Sequence, residues 1–182
     1  MIWIILLVVV VLIAMYVIST YNGLVQSRNK VKDQFSQIDV QLKRRFDLIP
    51  NLVETVKGYA KHESETLEKV IAARNNYANA KTDAEKLAAS REMSRGVMNI
   101  MALAESYPDL KANTNFVDLQ NQLKEVEDKI SYARQFYNDT VLMYNNKIEM
   151  FPSNLVASIF KFTKETFFEA DEAERENVQV KF

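Results

Sequence analysis

Residues 1–18 read MIWIILLVVVVLIAMYVI, a run with no charged side chain, and the first charge after it is Arg28. As a helix this run spans about 27 Å, close to the hydrocarbon thickness of a bilayer. Such a stretch goes either into lipid or into the centre of a core, and an unbroken terminal run favours lipid. Trp3 and Tyr16 stand near its two ends, where interfacial aromatics belong. Cleavage as a signal peptide is disfavoured: no basic residue precedes the run, and Val17-Ile18-Ser19 lacks the small-x-small pattern. The expectation is an uncleaved signal anchor over 1–19, with the lipid bilayer as its partner. Arg28, Lys30 and Lys32 follow it, so the positive-inside rule favours a cytoplasmic bundle.

The remainder is polar enough to be soluble, and its composition excludes several chemistries. Among 182 residues there are three Gly, three Pro, one His and no Cys. Disulfides, thiolate nucleophiles and a lipid-modified cysteine are ruled out. Three Gly cannot build a phosphate cradle, and a single His cannot supply a multi-imidazole metal site. With a net charge of −1, a nucleic-acid partner has no global electrostatic support. No cofactor is expected.

Few turn-formers mean long helices. Thr82-Asp83-Ala84-Glu85 matches a capping box, and Pro108 and Pro152 mark ends. These stops predict helices near 20–61, 63–80, 83–106 and 114–150. The last carries Phe116, Leu119, Leu123, Val126, Ile130, Ala133, Tyr137, Thr140, Tyr144, Ile148 and Phe151 at coiled-coil spacing. The first carries Val31, Phe35, Ile38, Leu42, Phe46, Ile49, Val53, Val56 and Ala60, with a bend expected where Pro50 removes the bond to Phe46. The fold class is therefore all-α: an N-terminal transmembrane helix followed by an antiparallel bundle of about four long helices over 20–151. Residues 152–182 form a short amphipathic helix (Leu155, Val156, Ile159, Phe160) and an acidic tail. The alternating end Val178 to Phe182 reads as a frayed terminus or a strand added to another sheet.

Chemistry-bearing residues are sparse. His62 lacks the partners of a metal site and reads as a helix-end residue. Lys43-Arg44-Arg45 lies among Asp39 and Asp47, so intrahelical pairing competes with binding of anionic headgroups. One of the two arginines must fall near the apolar seam. Tyr-Asn recurs at Tyr21-Asn22, Tyr137-Asn138 and Tyr144-Asn145, the last two on one helix face. These amides are either satisfied core groups or a polar layer that sets an oligomeric contact.

Ile38-Asp39-Val40-Gln41-Leu42-Lys43-Arg44-Arg45, Asp47-Leu48-Ile49-Pro50-Asn51-Leu52-Val53 and Val56-Lys57-Gly58-Tyr59-Ala60 resemble the LemA family signature. Tyr107-Pro108, Leu119-Gln120, Glu127, Ala133-Arg134, Tyr137-Asn138, Tyr144-Asn145, Phe151-Pro152 and Phe167-Phe168-Glu169-Ala170 fit the same pattern. The resemblance implies a bacterial cell-membrane protein, all helical, without established enzymatic activity. It also implies association with membrane metalloprotease systems. Many relatives carry a lipidated cysteine before the Tyr-Asn pair, which implies an extracytoplasmic domain for them and opposes the charge rule; here Thr20 precedes Tyr21. The expected function is a non-catalytic membrane-anchored scaffold or adaptor that forms a homo-oligomer. Asp39, Arg44, Arg45, Asp47, Asn51, Glu127, Arg134, Asn138 and Asn145 would form polar contacts within or between bundles. The alternative is a sensory bundle in which those groups line a small-ligand cleft.

Overall fold

The computed structural model describes residues 1–60 and 63–168, and of Asp83 and Ala84 the backbone alone. His62 and the acidic tail with its alternating end lie outside the described residues. Every regular element among the described residues is a helix: α1 (Ile2–Lys57), α2 (Ser64–Asn79), α3 (Asp83–Ala104), α4 (Pro108–Lys111), α5 (Thr114–Glu149) and α6 (Ser153–Ile159). The all-α expectation holds, with four long helices and two short ones. The described residues divide into two compact units, 1–38 with 132–168, and 39–131.

In the first unit, α1 begins with the apolar run, whose side chains are exposed from Met1 to Tyr16. Farther along, Leu24, Val31 and Ile38 are buried, as are Tyr137, Val141 and Tyr144 of α5. The two helices run antiparallel. Phe35 meets Tyr137 edge-on at 5.9 Å, and Lys147 Nζ donates to Ser27 Oγ at 2.6 Å. The short helix expected after Pro152 is α6. Its Val156 and Ala157 cluster with Leu24, and Val17, Ile148 and Phe162 pack against that cluster. Two bonds close the end of α6: Phe162 N–H to the Ala157 carbonyl at 2.9 Å and Lys161 N–H to that of Ser158 at 3.2 Å. This is a Schellman motif, and it places Lys161 at φ 55°, where glycine is the usual occupant.

In the second unit, α2 and α3 pair as an antiparallel hairpin. Gly96 permits their close approach, since a Cβ there would meet Val70 Cγ2 at 2.7 Å. The capping box forms as expected: Glu85 N–H donates to Thr82 Oγ1 at 3.2 Å, and Thr82 N–H to Glu85 Oε2 at 3.1 Å. The N–H groups of Lys81 and Thr82 hold the Glu85 carboxyl below its usual range. Pro108 does more than end a helix. It starts α4, where its fixed φ suits the first turn and its missing N–H is not needed. Asn113 caps α5 by accepting from Phe116 N–H at 3.0 Å.

α1 is helical through Pro50, as expected, and departs from expectation at two places. It stops at Lys57 rather than 61, where the N–H groups of Tyr59 and Ala60 both turn back on the Val56 carbonyl. The fully buried seam position is Arg45, at 0% exposure, while Phe46 is only half-buried. Leu42, Arg45 and Ile49 are spaced for one helix face as well as Leu42, Phe46 and Ile49 are, so hydropathy alone favoured the wrong residue.

Candidate functional site

In the second unit, the Arg45 guanidinium lies sealed among three helices. Nη1 donates to Glu127 Oε1 of α5 at 2.7 Å and also to Ser94 Oγ of α3. Nη2 donates to the Ser90 carbonyl at 2.8 Å and to Ser90 Oγ at 2.5 Å. Ser90 and Ser94 stand one turn apart on α3 and so face the same way. Ser94 Oγ also reaches Glu127 Oε2 at 3.3 Å. A buried cation is tolerable here because a carboxylate and two hydroxyls replace its water shell. Both terminal nitrogens of the guanidinium are engaged, while its buried Nε has no hydrogen-bond partner. The arrangement ties α1, α3 and α5 of this unit together.

Around it, the other signature residues serve local contacts. Arg44 is 3.7 Å from Glu125, a pair largely in solvent. Lys129 holds the Glu125 carboxyl below its usual range, with Arg44 adding to the effect. Asp47 pairs with Lys43 at 2.5 Å. Asp39 Oδ1 accepts from Tyr77 Oη at 3.0 Å and from Lys86 Nζ at 3.3 Å. Burial, and the Asp39 carboxylate beside it, push the Tyr77 hydroxyl well above its ordinary value. Asn51 lines an open cleft of about 450 Å³ with Glu54, Thr55, Asn115, Asp118, Leu119 and Gln122.

The first unit holds a different arrangement. Tyr137, Asn138, Tyr144 and Asn145 of α5 grip the extended strap 163–168 by its main chain. Asn145 donates to the Glu165 carbonyl at 2.9 Å and accepts from its N–H at 3.0 Å. Asn138 donates to the Phe168 carbonyl at 3.0 Å and accepts from its N–H at 2.7 Å. Tyr144 and Tyr137 donate to the carbonyls of Thr163 and Thr166, at 3.1 and 3.0 Å. Burial, with Glu165 adding to it, raises the Tyr144 hydroxyl above its ordinary value. Arg134 closes the ladder, its guanidinium carbon 4.2 Å from the centre of the Phe168 ring. Tyr21 takes a different role, packing its ring at a tilt against Phe160 at 4.7 Å, and Asn22 is exposed. Trp3 and Tyr16 are exposed on the apolar run.

Arg45 and Glu127 are thus brought together, as are Arg134, Asn138 and Asn145 around one strap. Asp39 and Asp47 take separate partners, and Asn51 lines the cleft. Sequence reasoning missed Ser90 and Ser94, whose only signal is two small hydroxyls four residues apart, and it missed the strap altogether. Among the described residues, no three carboxylate or imidazole groups converge as a metal site would require.

A model of the LemA family matches residues 34–182. Protein LemA of Metamycoplasma hominis is 30% identical over 162 residues, covering 87% of this chain and 73% of that protein. Magnetosome proteins MamQ 1 and MamQ 2 of Paramagnetospirillum magneticum are each 31% identical over 70 residues, 38% of this chain and 26% of theirs. The LemA family is not a known enzyme family. With most of its length matched by that family's model, this chain belongs to the LemA family.

Proposed function

We propose that this chain is a non-catalytic scaffold, anchored in a bacterial cell membrane by residues 1–18, that works through protein contacts and self-assembly. The observation that carries this reading is a second stripe on α5. Phe136 and Met143 of α5, with Met150 just past its end, recur every seven residues and are 61%, 62% and 62% exposed, off the seam of α5 that is already buried. Tyr132, at 65%, extends the stripe by a turn. Repetition at this interval keeps one face apolar over several turns and suits a partner helix. A second copy is the occupant favoured, because copies held in one membrane are concentrated with the same orientation. The polar signature residues support a structural role, since Arg45, Glu127, Asn138 and Asn145 are engaged within the chain.

Light scattering of the full chain in detergent tests this. Wild type should be a uniform multimer, and Phe136→Glu with Met143→Glu should reduce it to a monomer of unchanged helicity. A monomeric wild type, or an unchanged mass in the variant, would overturn it.

The sensory alternative draws support from the polar cleft beside Asn51. Reproducible thermal stabilisation by a small polar compound, abolished by Asn51→Leu, would favour it by mass action on the folded state. A membrane metalloprotease system remains the proposed partner class, tested by crosslinking in intact membranes. Protease digestion in unlysed spheroplasts fixes the side of the membrane: protection supports the cytoplasmic reading, and cleavage the extracytoplasmic one.

A further inference from the structure

The face of α6 opposite Leu24 has no cover among the described residues. Leu155 and Ile159, one turn apart, are 55% and 70% exposed, flanked by Phe151 at 79% and Phe160 at 47%. Four large apolar side chains within ten residues form a patch that water disfavours by about 25 cal/mol per Å² left wet. Its placement in the unit decides what covers it. Val17, in the last turn of the apolar run, and Leu24 both pack against the Val156 and Ala157 side of α6. Leu24 lies six residues past Ile18, about 9 Å along the helix. The helix therefore lies beside the stretch of α1 that crosses from hydrocarbon to headgroups, a layer roughly 5–8 Å deep on each side of a bilayer. Tyr21, whose ring packs against Phe160, stands at the same level. Lys161 follows the patch, exposed and in reach of anionic headgroups.

We propose that α6, with Phe151 and Phe160, is an interfacial foot that lies in the headgroup–acyl boundary of the membrane holding residues 1–18. The occupant of the exposed face is lipid. An amphipathic helix in the interface plane presents its apolar side to acyl chains while its other side stays on the protein. Here that other side is already committed to Leu24. The foot rests on the anchor reading, and it would give the chain a second attachment that fixes this unit's rotation about α1.

The test reads both attachments separately by tryptophan quenching in vesicles of phosphatidylcholine and phosphatidylglycerol. Trp3 is the only tryptophan, so the wild-type chain reports on the anchor. In a Trp3→Phe background, Leu155→Trp and Ile159→Trp report on the foot; both sites are exposed and accept the larger ring. The expected result is emission loss at both sites with lipids brominated near the headgroup, less with bromines near the bilayer centre, and protection from aqueous acrylamide. Quenching of Trp3 by bromolipid, with neither foot site quenched, overturns the foot and leaves the anchor. Absence of quenching at Trp3 and at both foot sites overturns both. Foot emission shielded from bromine and acrylamide alike means a protein covers the patch, and also overturns the proposal.

Discussion

Arg74 of α2 donates from Nε to the Phe46 carbonyl of α1 at 3.2 Å, and that carbonyl is the one Pro50 leaves without its helical donor. The same guanidinium lies 3.9 Å from the Phe46 ring centre, so one side chain satisfies the acceptor and stacks on its residue. Arg74→Ala is expected to cost about 1–3 kcal/mol by leaving a helix carbonyl unpaired. Pro50→Ala restores an N–H at residue 50, so the Arg74→Ala penalty should shrink in that background. Urea unfolding of the four chains measures the coupling, and strictly additive effects would refute it.

The Arg45 cluster should respond unevenly to substitution. Glu127→Ala leaves a cation at 0% exposure without its carboxylate and should cost about 3–5 kcal/mol in urea unfolding. Replacing the pair together, Arg45→Met with Glu127→Leu, should cost much less, because no uncompensated charge remains. Equal losses in the two variants would mean that packing rather than charge governs the site.

Asn145→Leu removes both bonds to Glu165, and Asn138→Leu both bonds to Phe168. The double variant should release the strap at a cost of about 1–3 kcal/mol per asparagine. Hydrogen exchange at the Glu165 and Phe168 amides should accelerate, while the mass by light scattering stays that of wild type. A changed mass would show that the ladder serves contacts between copies as well.

Stability should fall at alkaline pH, and Tyr77 should account for part of that fall. Its hydroxyl is raised above the ordinary value of 10.0 by burial and by Asp39. Below that value both states hold the proton and the full stability is present. Above it the unfolded chain loses the proton first, so stability is lost as pH rises. Tyr77→Phe should flatten the alkaline limb of unfolding free energies measured from about pH 8 to 11. An identical slope in the variant would exclude Tyr77.

Lys161→Gly should raise stability by about 0.5–1 kcal/mol. It relieves a left-handed backbone at φ 55° while keeping both main-chain bonds of the motif. Thermal unfolding monitored by circular dichroism reads the shift, and a lower midpoint would contradict it.

Local signals in the sequence carried much of this fold. The Thr82–Glu85 box, the seam of α5 and the short helix after Pro152 depend on neighbours within a few residues, so their spacing reveals them. The spacing put one of Arg44 and Arg45 near the seam, as Arg45 is, but hydropathy ranks Phe46 inside ahead of it. Only the arrival of Ser90, Ser94 and Glu127 from distant parts of the chain reverses that order. Tyr-Asn at a seven-residue interval was visible as a pattern. Its partner was not, because 163–168 is held mainly through its backbone, and only the Phe168 ring under Arg134 is held by its side chain's identity.

The ladder also has a metric. From Asn138 to Asn145 is seven helical residues, about 10.5 Å, and from Glu165 to Phe168 is three extended residues, about 10 Å. The two spacings match, so both amides engage the strap at once and neither has to stretch to meet it. The match fixes how extended the strap must be between Glu165 and Phe168, so a more compact stretch there would lose one of the two contacts.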